Sequence, residues 1–300
     1  MGNQILLGLK STDYEHPFDK AALTKMKNLK GFETVTSFFL DYTSVKWQLV
    51  QLQGSHFRIT CESCPDLYQR MTQVLKILDL HTPLRFYTKW DYEVGSYSTG
   101  FNDTTVMVLN SGAVDLLSAE EQLYVIGREA GHIKSGHILY HGMVDLFYEA
   151  IEKIPLASSL TMPIFYSLKY WQRMSEFTAD RAGLLVCQDI DLAINAIIKM
   201  AGIPLKYFDK ENKEAFIKQA HDFVNSFDGF SDKMIKFLSI ASSNHPWTVL
   251  RAAELLKWVE TGEYQQVLDS HRVKKCSNPL CGEDIATSKT ICPHCGSKQL

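Results

Sequence analysis

The sequence predicts a mainly helical α+β protein with a small mixed sheet and a cysteine-rich tail. Helical periodicity fills most of the chain after residue 118, and short alternating runs are grouped between residues 56 and 109. Four of the seven cysteines fall within the tail, after residue 275. With 300 residues and 45% apolar content, the chain is long enough to bury a full core beside a small appendage.

The first part of the chain, residues 1–55, is expected to be helical. One helix is predicted over residues 19–29, closed by Gly31, and an aromatic-rich helix follows it. A further helix is predicted over residues 65–80, with Pro65 in its first turn.

Alternating apolar and polar residues predict the strands of the small sheet. These are expected over residues 56–60, 84–88, 92–98 and 104–109. We expect a main domain over residues 56–262, with the turn at Thr261 and Gly262 leading into a linker and tail over residues 263–300.

Composition excludes some classes of partner. The net charge of -3 gives no reason to expect nucleic acid, although the tail is mildly basic. The least polar stretch, residues 154–171, is broken by Ser158, Pro163 and Lys169, so we expect no membrane span. No signal peptide is recognisable, and the expected location is cytoplasmic.

The tail carries two cysteine pairs, Cys276-x4-Cys281 and Cys292-x2-Cys295. Each pair can supply two thiolates to one tetrahedral zinc ion, which would fold a segment too small for its own core. The sequence therefore predicts a zinc ribbon, and two disulfides are the alternative. Cys61 and Cys64 have no second pair nearby and are interpreted as structural thiols, with a redox or metal pair as the alternative.

A helix with a well-marked start carries the most informative motif. Ser118 and Glu121 form a predicted capping box, and an apolar face follows at spacings of three and four. Arg128-Glu129-x-x-His132 then stands where a zinc-protease helix has His-Glu-x-x-His. Positions 128 and 132 are one turn apart, the spacing at which two imidazoles chelate one ion, and Glu129 is placed to take a proton from a metal-bound water.

A second helix supplies a carboxylate pair. Glu176 and Asp180 are one turn apart in the segment Glu-Phe-Thr-Ala-Asp. Glu176 could complete a two-histidine, one-carboxylate ligand set, while Asp180 orients a ligand imidazole.

Four segments together resemble the HtpX and CAAX prenyl endopeptidase family of zinc metallopeptidases, in the gluzincin clan. The segments are residues 107–112 (MVLNSG), 121–137, 176–180 and 245–251 (HPWTVLR). The resemblance covers roughly residues 60–260 and points to the soluble branch of the family. It implies a zincin-type metallopeptidase domain with an active-site helix.

The family pattern also implies roles for individual residues. His132 and Glu176 would bind zinc, Glu129 would act as general acid and base, and Asp180 would support a ligand. His245 would stabilise the oxyanion of the tetrahedral intermediate, and Arg251 would hold that corner by ion pairing. The substrate backbone would add to the strand that contains Met107, Leu109 and Asn110.

Arg128 occupies the remaining ligand position of this pattern. A guanidinium stays protonated and has no lone pair for zinc. We therefore expect Arg128 to pair with Asp180 or Glu176, which would replace the metal electrostatically. Alternatively, Arg128 swings out and another imidazole completes the site. His137 lies ~140° around the helix from His132 and is not expected on that face, so His245 is the better substitute.

Two classes of function follow. As an enzyme, the protein would be a zinc metalloendopeptidase that acts on a peptide or protein substrate, with Zn at the active site as well as in the ribbon. As a binding module, it would be an inactive pseudopeptidase that holds a peptide or protein partner.

Overall fold

A computed structural model describes residues 3–42, 45–101, 104–150, 153–154, 158–225 and 247–299 of the chain. Its helices in these ranges are α1 Pro17–Lys27, α2 Phe32–Tyr42, α3 Val45–Ser55, α4 Pro65–Ile77, α5 Ser111–Leu116, α6 Ala119–Lys134, α7 Ile138–Ala150, α8 Ser158–Cys187, α9 Ile190–Met200, α10 Lys210–Asn225, α11 Thr248–Glu260 and α12 Glu263–His271. Its strands are β1 Phe57–Ile59, β2 Leu84–Lys89, β3 Ser96–Phe101, β4 Thr104–Asn110, β5 Val273–Lys275 and β6 Asp284–Ala286. The predicted fold class, mainly helical with a small mixed sheet, is confirmed.

The four strands β1 to β4 form one mixed sheet in the order β1-β2-β4-β3. β4 is parallel to β2 and antiparallel to β3, and β1 is antiparallel to β2. β3 begins four residues later than predicted because Asp91 holds the chain in a turn, where its carboxylate accepts the Glu93 amide at 3.1 Å and its carbonyl accepts the Gly112 amide at 2.8 Å.

Helix α6 is the centre of the main domain. The predicted capping box is present, because the Ser118 hydroxyl accepts the Glu121 amide and the Glu121 carboxylate accepts the Ser118 amide. Every residue from Glu121 to His132 is buried, whereas the periodicity predicted a single apolar face. The helix is enclosed by the sheet and by helices α4, α8 and α9.

Small residues let α6 and α8 approach closely. An alanine side chain at Gly127 would place its Cβ 2.8 Å from the Cβ of Val186, and one at Gly131 would overlap Ala182. These contacts leave no space for larger side chains on this face. The charged residues of the two helices are consequently held within hydrogen-bonding distance across a buried interface.

The N-terminal segment and the last helix, α12, join this core. Leu6 and Tyr14 near the N-terminus pack in the same cluster as Tyr264 and Leu268 of α12. The division into regions 1–55, 56–262 and 263–300 stays a prediction. Within the described ranges, the structure contains no helix with the length and apolarity needed to cross a bilayer.

Candidate functional site

Helices α6 and α8 bring the predicted motif residues together. Arg128, Glu129 and His132 project from α6, and Glu176 and Asp180 project from the facing turns of α8. All five are buried, with exposed fractions of 5% or less. The site is therefore an enclosed cluster of charge.

Arg128 is paired with both carboxylates, which confirms the expected contact. Its Nε donates to Asp180 Oδ1 at 2.8 Å, and its Nη2 donates to Glu176 Oε2. Gly183 makes room for this arrangement, because a Cβ there would lie 2.8 Å from Arg128 Cγ. Arg128 is held by its surroundings and does not turn toward solvent.

Asp180 is the acceptor at the centre of the cluster. It receives Arg128, the Tyr124 hydroxyl at 2.8 Å, and two nitrogens of Arg251 at 2.8 and 2.6 Å. Burial alone would raise the pKa of Asp180, but the charge and hydrogen bonds of Arg251, followed by the charge of Arg128, hold it below its ordinary value. Arg251 thus forms the ion pair predicted for it.

The family's zinc position does not fit the residues that surround it here. The Arg128 guanidinium has no lone pair for a metal, and it already engages both carboxylates of the second motif. His132 Nε2 lies 3.5 Å from Glu176 Oε1, so one imidazole and one carboxylate face the guanidinium. A catalytic zinc normally needs three protein ligands and an open position.

Glu129 lies beside this cluster and faces the sheet. Its two carboxylate oxygens accept the hydroxyls of Ser96, at 3.0 Å, and Ser98, at 2.9 Å, both from β3. Two charge-assisted bonds to a buried carboxylate fix its orientation. Its role as a general acid and base stays a prediction.

The position of His137 differs from the one expected from helical geometry. α6 ends at Lys134, and Gly136 adopts a left-handed φ of 70°, so residue 137 is not on the continued helix. The chain turns back, and His137 Nδ1 lies 3.0 Å from His132 Nδ1. His141, one turn into α7, joins them: one nitrogen from each of the three rings lies within 4.8 Å of the other two.

Burial and charge act differently on the pKa values of His132 and His137. Burial lowers the pKa of His132, but the hydrogen bond and charge of Glu176 outweigh it and the net pKa is raised. Burial also lowers the pKa of His137, and there it outweighs the bond to Asp19. His137 Nε2 lies 3.2 Å from the Asp19 carboxylate, which also accepts Trp171 Nε1 at 2.8 Å and the Thr178 hydroxyl at 2.6 Å.

Two other predicted features are the oxyanion group and the substrate-binding strand. His245, the expected oxyanion group, lies outside the described residues. The strand that contains Met107, Leu109 and Asn110 is β4, which is paired with β2 on one side and with β3 on the other. Its backbone groups are already used, so it cannot accept an added peptide; β3 is the strand at that edge of the sheet.

Several residues of the site were not singled out from the sequence. Tyr124 stands one turn before Arg128 on α6, and that spacing alone could have indicated it. Asp19 comes from α1 and Ser96 and Ser98 from β3, with no local pattern that marks them. Such residues become visible only when distant segments pack together.

The four tail cysteines form a separate cluster. Each offers a sulfur within 4.8 Å of the other three, and all seven cysteines of the chain are free, so the alternative of two disulfides is not observed. The Sγ atoms are 3.7 Å apart for Cys276 and Cys295 and 3.9 Å apart for Cys281 and Cys292. Four thiolates at ~2.3 Å from a tetrahedral zinc are separated by ~3.8 Å, so these residues fit that ion.

The strands β5 and β6 frame this cluster as an antiparallel pair. The Cys276 sulfur also accepts the Asn278 amide at 3.5 Å, and Gly282 and Gly296 adopt left-handed φ values just after a cysteine. Cys61 is exposed, and Cys64 occupies the N-cap position of α4 without a capping bond from its side chain. Neither belongs to a metal-binding group among the described residues.

Comparison with known proteins places this site in a family. The model of peptidase family M48 matches residues 65–259, a range that includes the Arg128 cluster and ends before the four cysteines. The plastoglobule-localized metallopeptidase 48, chloroplastic, of Arabidopsis thaliana is 24% identical over 262 residues, which cover 87% of this chain and 76% of that protein. Because the family model matches more than half of this chain, the chain belongs to peptidase family M48.

Proposed function

We propose that this protein is a catalytically inactive member of peptidase family M48 that acts as a peptide- or protein-binding module. One observation carries the proposal: Arg128 donates to both Glu176 and Asp180 in the place where the family pattern puts a zinc ligand. A buried guanidinium supplies positive charge to the two carboxylates and has no means of activating water.

The fold supports this reading because it does not require a metal at that position. A guanidinium that faces two carboxylates satisfies their charge and their hydrogen-bonding capacity at once. Removing one member of such a group would leave an uncompensated buried charge, which costs about 3–5 kcal/mol. Arg128 is therefore a stabilising part of the domain.

An extended partner would bind along β3. This strand has a strand neighbour on one side only, and α7 packs near it. Gly95 pairs with Asn110 through a backbone bond, so by alternation the amides of Ser96 and Ser98 face away from β4. Backbone groups at such an edge can add a peptide as a further strand. The expected cytoplasmic location is part of this proposal.

Activity is tested by adding zinc and an unfolded protein substrate. We expect the wild-type chain to cleave it no faster than Glu129→Gln does. Arg128→His should bind an additional zinc ion that depends on Glu176, because it restores the missing imidazole. Arg85→His, at an exposed arginine, is the matched control and should gain nothing. Wild-type cleavage that is lost in Glu129→Gln would overturn the proposal of inactivity.

Binding is tested with a fluorescently labelled unfolded polypeptide. Ser98→Ala removes one hydroxyl bond to Glu129, and Ser98→Pro removes in addition the outward amide of β3. We expect the proline variant to bind the polypeptide more weakly than the alanine variant. Equal binding by the two variants would contradict binding of the polypeptide along β3.

A further inference from the structure

The imidazoles of His132, His137 and His141 lie against one another beside the Arg128 cluster. The Nε2 of His132 faces Glu176, while its Nδ1 faces His137 at 3.0 Å. His141 stands over the same ring, with 4.9 Å between the ring centroids of His132 and His141. We propose that His132, His137 and His141 form a binding site for a divalent transition-metal ion such as zinc, displaced from the position that the family pattern implies.

The spacing of the nitrogens suits such an ion. Zinc binds imidazole nitrogen at ~2.0–2.1 Å, so two nitrogens of a tetrahedral site are ~3.3 Å apart. The two Nδ1 atoms of His132 and His137 are already at 3.0 Å. Each of the three imidazoles offers one nitrogen within 4.8 Å of those of the other two, so a small rotation of His141 would close the set.

The Nε2 atoms of His137 and His141 each face a hydrogen-bond partner, as is usual for the second nitrogen of a metal-binding imidazole. His137 Nε2 faces the Asp19 carboxylate at 3.2 Å, and His141 Nε2 lies 2.9 Å from the Ser175 hydroxyl. The Ser175 hydroxyl donates its one hydrogen to the Gln172 carbonyl at 2.7 Å, so it accepts from His141. A proton on Nε2 of each ring places the lone pair on Nδ1, the tautomer that binds metal through Nδ1.

The charged groups that surround the three imidazoles also favour a bound cation. The described charged groups around the imidazoles are four carboxylates, Asp19, Glu129, Glu176 and Asp180, and two guanidiniums, Arg128 and Arg251. A cation among the imidazoles would offset part of this excess of negative charge. Two facing Nδ1 lone pairs also repel unless a proton or a metal lies between them.

This inference goes beyond the proposed function and does not depend on it. The test uses the full chain, freed of metal and then loaded with cobalt(II). We expect two ions per chain, one in the ribbon and one among the imidazoles. Ribbon cobalt has thiolate-to-metal charge-transfer absorption, whereas cobalt held by three imidazoles has only the weaker visible bands, so the two ions can be counted separately.

His141→Gln is the most informative variant because His141 is only half-buried and its loss is least disruptive to folding. We expect it to lower the affinity for the second ion at least ~10-fold, the scale of losing a ligand's support. His137→Gln should abolish that ion. His221→Gln, at an exposed histidine, should change nothing. The charge-transfer band of the ribbon and the far-ultraviolet spectrum report whether each variant is folded.

The outcomes separate this inference from the proposed function. A single ion per chain, all of it thiolate-bound, overturns the imidazole site and leaves the proposed inactivity intact. A second ion that is lost in Glu176→Gln but kept in His137→Gln and His141→Gln overturns both, because the metal then occupies the family's position. A second ion that is lost in His137→Gln, together with peptide cleavage by the wild type, supports the site and overturns inactivity.

Discussion

The motif cluster between α6 and α8 and the four cysteines after β5 were both expected from the sequence to hold zinc. The cysteine cluster keeps four ligands of one kind at distances that suit the ion. In the motif cluster, Arg128 stands where the family pattern implies a ligand, and it donates to the carboxylates of Asp180 and Glu176. The two centres differ most in their surroundings: the motif cluster lies in the main core, whereas the cysteines pack with little more than Ile285.

The two centres therefore differ in how far their folding would depend on a metal. The main domain gains its stability from the burial of apolar surface by many helices, so the charge of the ion can be replaced by a guanidinium. The ribbon is a two-stranded hairpin with almost no core, and for such segments the free energy of metal binding is the free energy of folding.

The largest expected effect is therefore on the ribbon. A strong chelator should unfold residues 273–299 and leave the main domain folded, since a structural zinc contributes about 10–16 kcal/mol to a segment of this kind. Limited proteolysis with mass spectrometry locates the cleavages, and the far-ultraviolet spectrum follows the helices. Cys292→Ser should behave like chelation, and Cys61→Ser, at an exposed cysteine outside the cluster, should not. If the tail stays protected from proteolysis after complete metal removal, the two centres do not differ in their dependence on a metal.

The next effect is on the charge cluster. Asp180→Asn leaves the buried Arg128 and Arg251 without their shared carboxylate and should lower the free energy of unfolding by about 3–5 kcal/mol. Asp191→Asn breaks an ion pair with Lys213 whose carboxylate is 76% exposed, so it should cost no more than about 1 kcal/mol. Urea titrations of both variants measure the difference. Equal losses would mean that Asp180 does not organise the cluster.

The smallest effect concerns the close packing of α6 on α8. Gly131→Ala forces a methyl group onto Ala182 and should destabilise the domain by about 1–3 kcal/mol. Gly142→Ala lies within α7 with no atom inside 4 Å of the added Cβ, so it should stabilise by about 0.4–1 kcal/mol. Thermal unfolding of the pair gives the sign of each change. A neutral Gly131→Ala would show that the helices can separate without loss.

Much of the local structure could be predicted from the sequence because it depends on neighbouring residues. The capping box at Ser118, the first turn at Pro65 and the fold class are examples. The start of β3 was misplaced because a turn at Asp91 depends on Gly112, which is distant in the sequence. The position of β4 inside the sheet likewise depends on strand order, which alternation does not reveal.

By itself, the sequence determined that Arg128 cannot bind zinc and that four cysteines can, because both follow from the chemistry of single side chains and their spacing. The tertiary structure decided where the Arg128 guanidinium goes, which carboxylates share it, and that His137 and His141 return to His132. Helical spacing describes a side chain only while the helix continues. Once the chain turns at Gly136, packing against α8 and Asp19 of α1 sets the position of each imidazole.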